Sequence, residues 1–320
     1  MLGGTQFVGR RLVEALLAAG HEVTALNRGT RSPVPGSASL RADRHTKGDV
    51  GTALAGRQFD AAFDVSAYKP EETAEVVQAL AGRVGRFVHI STGAVYSAEA
   101  AMPWTEDSPR RSTEPASYGS DKARCEDVLF AAHAARGFPA VVLRPSYVYG
   151  PCNHLYREAY FYDRAEAGRP ILVPAGGRKV QFVHVDDLAA ATILAAERAG
   201  VAGETFNVAG DEAVTFDLLA RLATGAAGVE ADVVAAPASP ALAALFPFAD
   251  FDIAMSAGKV RARLDATFRP LAQGLRDAYQ WYRGARPFGA PDFARDEEIL
   301  ARASRQPGSP RRLPAEREER

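Results

Sequence analysis

Apolar and polar positions along this chain switch between two periods. Short apolar runs at 21–26, 39–42, 59–66, 86–90 and 139–144 read as strands. Between them lie helical patterns at 71–83 and 118–136, and one after residue 9 that turns Leu12, Val13, Leu16 and Leu17 to one side before Gly20. Strand and helix in alternation predict a parallel sheet covered on both faces, with ligands at the carboxyl ends of its strands. Pro145-Ser-Tyr-Val-Tyr-Gly-Pro151 breaks the rhythm. Shorter elements follow: helices at 154–168, 186–199 and 215–227, and strands at 171–173, 181–184 and 204–208. An Ala/Pro-rich stretch then leads to a closing helix ending near Trp281-Tyr282.

The expected division is a core over 1–150, then a mixed region over 151–283 that completes the core and forms a smaller lobe, drawn largely from 151–180 and 209–283. A C-terminal extension occupies 284–320, of which 304–320, rich in Pro, Arg and Glu without an apolar face, is expected to be disordered. The first strand of such a sheet is central, yet here only Met1-Leu2 precedes the first glycine turn. So short a strand would leave apolar surface and ladder hydrogen bonds uncovered, and the expectation is that the natural start lies several residues upstream.

Composition removes several function classes. A net charge of −1 over 320 residues offers no basic field for nucleic acid or an anionic membrane. Apolar content of 47% is ordinary, and no run reaches the length of a membrane span. Cys125 and Cys152 lack any ligand spacing and the six histidines are scattered, so no metal site is expected and a reducing cytoplasm is the simple location.

Chemistry concentrates at Tyr118-Gly-Ser-Asp-Lys122 and at Ser91-Thr92. Tyrosine and lysine four apart on a helix share a face, and an ammonium beside a phenol favours the phenolate. Such a phenol exchanges protons with a substrate oxygen near neutral pH, while Thr92 holds the same oxygen by a hydrogen bond. With ten tyrosines and only five lysines, chance supplies far fewer than one such pair. Upstream, Gly3-Gly-Thr-Gln-Phe-Val-Gly9 opens the first helix, where backbone N–H groups and the helix dipole suit a pyrophosphate. The second strand ends in Asn27-Arg28-Gly29-Thr30-Arg31, and Arg28 and Arg31 suit a 2′-phosphate better than a 2′-hydroxyl, a lean toward NADP over NAD. The glycine turn and strand ends give the expected cofactor contacts Gly3, Thr5, Gln6, Phe7, Val8, Gly9, Asn27, Arg28, Arg31, Asp43, Ser66, Ala67, Ser91 and Pro145; Tyr118 and Lys122 join them only through the resemblance given next. Thr92, Gly93, Tyr96 and Tyr147 are the expected substrate contacts; Tyr68, Tyr156, Tyr160, Phe161 and Tyr162 read as ordinary half-buried aromatics.

Taken jointly, the Gly3–Gly9 turn, Ser91-Thr-Gly-Ala-Val-Tyr96, Tyr118-x-x-x-Lys122, Leu143–Pro151, Phe182-Val-His-Val-Asp-Asp-Leu188 and Phe206-Asn-Val resemble the extended short-chain dehydrogenase/reductases, in particular their NAD-dependent epimerase/dehydratase branch. The likeness runs from Met1 to about Tyr282. The opening Gly-Gly-Thr-x-Phe-Val-Gly and Asn27-Arg28-Gly29 are similar to an atypical subgroup that includes chloroplast RNA-binding relatives. The resemblance implies a Rossmann-type sheet with a C-terminal substrate-binding lobe. It implies Tyr118 as acid/base, Lys122 on the nicotinamide ribose, Thr92 on the substrate oxygen, and hydride transfer at a hydroxyl or ketone carbon of a small sugar-like molecule or secondary metabolite. Epimerisation and net reduction both stay open, and the alternative is a non-catalytic NAD(P)-binding regulatory or RNA-associated protein. A homodimer through the Tyr118 helix is the family's usual assembly.

Departures from the family pattern narrow this. Dehydratases carry Asp-Glu where this chain has Gly93-Ala94, which argues against elimination of water by their route. Tyr147 and Val180 stand where nucleotide-sugar enzymes place Asn and Arg, which argues against an ordinary UDP- or dTDP-sugar, although Arg178 and Lys179 lie close in sequence. Gln6 replaces the middle fingerprint glycine. His184, near the start of the helix at Asp186, is expected to be structural.

Overall fold

The computed structural model describes residues 1–230, 232–303 and 311–312. In chain order the elements begin with α1 (Phe7–Ala18), β1 (Thr24–Asn27), β2 (Ala38–Arg41), α2 (Asp49–Leu54), β3 (Phe59–Asp64), α3 (Pro70–Leu80) and β4 (Val84–Ile90). Next come α4 (Tyr118–Arg136), β5 (Ala140–Pro145), β6 (Tyr147–Tyr149), α5 (Glu158–Glu166), β7 (Ile171–Pro174), β8 (Lys179–His184), α6 (Val185–Glu197) and β9 (Thr205–Val208). The last are β10 (Ala213–Thr215), α7 (Phe216–Ala226), β11 (Val233–Ala236), α8 (Pro240–Leu245), α9 (Gly258–Leu264), α10 (Leu271–Ala285), α11 (Ala294–Ala303) and β12 (Arg311–Arg312).

Contacts divide the chain into two units, neither continuous in sequence. The first comprises Met1–Val148, Val183–Asp211 and Ala254–Phe268. Its ladders run β2–β1 and β3–β4–β5–β9, all parallel. Leu2 joins them through parallel bridges to Leu26 and Asp64. Met1-Leu2 thus stands where a central strand belongs, donating from Leu2 N to Phe63 O (2.8 Å) and accepting from Leu26 N at Met1 O (2.8 Å). Beside Met1-Leu2 opens an apolar cleft lined by Leu26, Leu40, Leu54, Phe59, Ala62 and Leu80.

Adjacent residues on each central strand point to opposite faces, as the pleat requires. Phe63, Val88 and Leu143 pack with Leu12 and Val13 of α1, Leu188 of α6 and Val260 of α9. Their neighbours Ala62, Phe87 and Val142 pack instead with Val50 of α2, Val76 of α3 and Leu129 of α4. Helices therefore cover both faces of a parallel sheet, the doubly wound arrangement that the alternating pattern predicts. One assignment changes: Ala254–Phe268 belongs to this unit and not to the smaller lobe, because Val260 and Leu264 are fully buried in its core.

The second unit comprises Tyr149–Phe182, Glu212–Ile253 and Arg269–Arg320. In it β7 and β11 pair in parallel, and β10 runs antiparallel to β8. Its centre is aromatic: Tyr160, Phe161, Phe182, Phe216, Phe246 and Phe248 meet mostly edge to face, the favoured quadrupole arrangement. The sequence gives no sign of α11, which holds to this unit through a buried pair between Arg164 and Asp296 (2.6 and 2.8 Å). Arg164 also lies 3.6 Å from the Tyr160 ring centroid. The expected disorder of 304–320 falls outside the described residues, except that the backbone of Arg311–Arg312 pairs with β11.

Candidate active site

Every residue of the candidate site belongs to the first unit. The geometry starts from α4. Ser117 caps this helix by accepting from Ser120 N (3.2 Å), Ser120 Oγ accepts in return from Ser117 N (2.8 Å), and Gly137 ends it at φ +66°. Tyr118 is therefore the first helical residue, with 53% of its surface exposed. Lys122, one turn on, is 3% exposed. The first turn docks closely: a Cβ on Gly119 would stand 2.2 Å from Ala94 O, so only glycine lets the Tyr118 turn lie against the segment after Thr92.

Lys122 spends its three donors inside the protein. Its Nζ donates to Ile90 O (2.7 Å) and Ala67 O (2.9 Å), and faces His89 Nε2 at 3.0 Å. Burial pushes this ammonium down to about 8, against the attraction of Cys125, Asp64 and Glu126. The segment after β3 is tied to the same helix turn by the Lys69–Asp121 ion pair (2.6 Å), and the Tyr68 ring lies 6.1 Å from that of Tyr118. Thr92 Oγ1 accepts from Ala94 N (3.2 Å), which leaves its O–H to donate elsewhere.

Beneath Thr92 runs a buried network. Glu126 Oε1 accepts from Ser91 Oγ (2.5 Å) and Arg144 Nε (3.0 Å); its Oε2 accepts from Arg144 (2.7 Å) and Arg110 (3.1 Å). Arg144 donates further to Tyr96 Oη (2.9 Å), which donates to Asn207 Oδ1 (2.5 Å).

Two expectations are corrected here, and one is narrowed. Tyr96 is fully buried, with its ring 5.0 Å from the Arg144 guanidinium and its hydroxyl bonded on both sides, so it does not line a substrate pocket. The Ser91 hydroxyl is engaged by Glu126 (2.5 Å), so a cofactor contact at Ser91 falls to its main chain. Gly93 is covered by Met255, whose Sδ lies 2.8 Å from where its Cβ would be, so it offers no open face to substrate. Tyr68 reverses the other way: read as half-buried, it is 53% exposed beside Tyr118. Tyr147 is half-buried on β6, and Pro145 is buried at the end of β5. Glu126, Arg144, His89 and Asp64 were missed; the recurrence Tyr118, Lys122, Glu126 at a spacing of four is the one signal that points to Glu126.

The glycine turn fits a dinucleotide. Gly3 takes φ +87°, with Ser66 Cβ 2.7 Å from where its own Cβ would stand, and a Cβ on Gly9 would be 1.8 Å from Gly3 O. Gln6 is the N-cap of α1 and makes no capping hydrogen bond, and no acidic residue neutralises the first turn. Phe7 sits at φ +39°, a strained conformation for a side-chain-bearing residue. Thr5 and Val8 flank this turn, half-buried. Ser66 N and Ala67 N donate to Asp64 Oδ1 (2.9 and 3.1 Å), and Asp64 takes Arg44 as its counter-charge (3.1 Å). At the end of β1, Asn27 Oδ1 accepts from Gly29 N (2.8 Å), while its Nδ2 is buried without a partner, an orphan donor where an adenosine ribose would lie. Arg28 and Arg31 are exposed beyond it, and Arg41 lies against Gly29. Asp43 closes a turn by accepting from His45 N (3.1 Å).

Residues 1–209 match the profile of the NAD-dependent epimerase/dehydratase family. The chain belongs to that family. Among curated relatives, it is 30% identical to the chloroplast stem-loop binding protein of 41 kDa b of Arabidopsis thaliana, over 94% of this chain and 84% of that one. It is 28% identical to a dTDP-glucose 4,6-dehydratase of Streptomyces niveus, over 92% and 95%. Among solved structures, UDP-glucose 4-epimerase of Thermotoga maritima superposes with a TM-score of 0.76 at 20% identity, over 89% of this chain and 98% of that one. These epimerases and dehydratases share the family's Rossmann-type fold with this chain. Among the described residues no helix is long and apolar enough to cross a membrane.

Proposed function

We propose that this chain is an NAD(P)-dependent oxidoreductase that acts at a hydroxyl or ketone carbon of a small sugar-like molecule or secondary metabolite, with NADP the favoured cofactor. The observation that carries the proposal is Lys122: a buried ammonium, held by two main-chain carbonyls and facing His89, one helical turn from an exposed phenol. Keeping such a cation out of water costs free energy that a purely structural helix has no reason to spend.

The bound nicotinamide supplies or takes the hydride. The chain handles the proton. Tyr118 gives its phenolic proton to the carbonyl oxygen in reduction, or takes the hydroxyl proton in oxidation, and the Lys122 charge stabilises the phenolate. Thr92 donates to the same oxygen. Gly3 to Gly9 would hold the pyrophosphate at the start of α1, and Arg28 and Arg31 would meet a ribose 2′-phosphate. Gly93-Ala94 provide no acid for dehydration, which leaves epimerisation or net ketone reduction.

The likeness to a stem-loop binding protein favours one second reading, a nucleotide-binding protein without turnover. The test begins by denaturing the purified protein and identifying released nucleotide. Near one NAD(H) or NADP(H) per chain supports an epimerase that regenerates its cofactor in place, whereas an empty site that takes up NADPH at micromolar concentration supports a reductase. On a carbonyl panel, Tyr118→Phe is expected to cut turnover at least a hundredfold with cofactor affinity nearly unchanged. Tight binding of a stem-loop RNA with no turnover on any substrate would replace this proposal by the second reading.

A further inference from the structure

Lys122 has three donors, and the third acceptor is unusual. Ala67 O and Ile90 O are main-chain carbonyls, fixed by the segment after β3 and by β4. His89 is a side chain that nothing in the proposed chemistry uses. It is fully buried on β4, directly across the ladder from Asp64 on β3, and its Nε2 is 3.0 Å from Lys122 Nζ. An ammonium has only protons to offer, so the imidazole must present its Nε2 lone pair and carry its own proton on Nδ1.

We propose that His89 is a positioning residue: as the neutral, Nδ1-protonated tautomer it accepts the third Lys122 proton and fixes the ammonium below Tyr118. The inference rests on the oxidoreductase assignment for its purpose, but its geometry stands in the free protein.

The surroundings keep His89 neutral. Burial, first, and then the Lys122 and Arg44 charges hold the imidazole well below the usual histidine range, and Asp64 opposes them. The charged and titratable groups around Lys122 are Asp64 from β3, Arg44 from the loop after β2, and Cys125 and Glu126 from α4 itself. The Tyr68 ring adds a weak contact, 6.0 Å from Nζ to its centroid. Nδ1 has no partner. That unpaired donor costs stability.

The tautomer is read directly by long-range ¹H–¹⁵N NMR of histidine-labelled protein without cofactor, in which six histidines give separable ring patterns. One histidine is expected to be Nδ1-protonated, to show no titration between pH 5 and 9, and to vanish in His89→Leu. The second measurement follows Lys122 by ¹³Cε labelling, where only five lysines compete and Lys122→Met assigns the signal. His89→Leu removes the acceptor and should lower the Lys122 midpoint by about one pH unit, a tenfold change in the charged-to-neutral ratio. His89→Gln, whose amide oxygen accepts, should hold the wild-type midpoint.

An Nε2-protonated His89, an unchanged midpoint in His89→Leu, or a His89→Gln that titrates like His89→Leu would each overturn the proposal. Should His89→Leu fail to fold, the wild-type tautomer still decides. Failure to bind NAD(P) would instead remove the oxidoreductase assignment and leave these measurements standing.

Discussion

Glu126→Ala tests the framework beneath the candidate site. Glu126 is fully buried and accepts four charge-assisted hydrogen bonds, from Ser91, Arg110 and twice from Arg144. Arg144 is 2% exposed and keeps only Tyr96 Oη and Glu106 O once the carboxylate is gone. Removing one partner of a buried pair strands the other charge, which costs about 3–5 kcal/mol. The assay is urea unfolding followed by tryptophan fluorescence. Trp104, 4% exposed with its ring 5.2 Å from that of Tyr96, reports on the first unit, while Trp281 belongs to the second. The Trp104 transition should move to lower urea by the full amount. Glu14→Ala, which breaks a surface pairing with Arg10 and Arg11, should cost under about 1 kcal/mol. Glu126→Leu combined with Arg144→Met should recover most of the loss, because a well-packed apolar pair replaces a buried ionic one at little cost. A Glu126→Ala protein within about 1 kcal/mol of wild type would refute the argument, since a stranded, desolvated guanidinium cannot be that cheap.

Three further outcomes follow from the same geometry. Lys122 binds its proton more weakly folded (about 8) than unfolded (10.5), so its burial penalty is fully present below pH 8 and is relieved as pH rises toward 10.5, by about 3 kcal/mol in all; wild-type stability to urea should gain on Lys122→Met between pH 8 and 9.5, and parallel pH profiles would refute this. Gly119→Ala places a methyl group 2.2 Å from Ala94 O, so the first turn of α4 must lift away from the Thr92 segment, with an expected loss of about 1–3 kcal/mol in thermal unfolding and a sharp fall in turnover. Arg28→Glu should weaken NADPH binding about tenfold or more by isothermal titration while leaving NADH within about twofold, and equal losses for both would remove Arg28 from the 2′ position.

Much of this was legible in the sequence, for identifiable reasons. The parallel sheet follows from strands such as Ala140–Pro145, apolar over its first four residues and buried along its whole length, a pattern that survives without tertiary information. Tyr118 and Lys122 were legible because helical spacing is local. Tyr96 was not: an aromatic beside a strand end looks the same whether it lines a cleft or plugs a core, and only Asn207 and Arg144, distant in sequence, decide which. Gly93 was misread for the same reason, since Met255 reaches it from far along the chain. His89 carries no local signal, because its meaning depends on where Lys122 points. The helix over Ala294–Ala303 is polar on most of its surface, and what anchors it is buried Ile299 and an aspartate that composition cannot distinguish from its neighbours.

That anchor bears on how the protein is made. Asp296 meets Arg164 across 132 residues of chain, and the first unit in turn needs Ala254–Phe268 to close its core. Neither unit is complete in an N-terminal fragment that stops before Ala254. During synthesis the sheet and its glycine turn emerge early, yet the helix containing Val260 and Leu264 must leave the ribosome before that core is sealed. The Arg164 guanidinium waits longer still, beside an aromatic cluster that lacks its last polar partner. A nascent chain stalled near residue 250 would therefore expose apolar surface from both units at once, and would be a client for chaperones despite holding every residue of the candidate site.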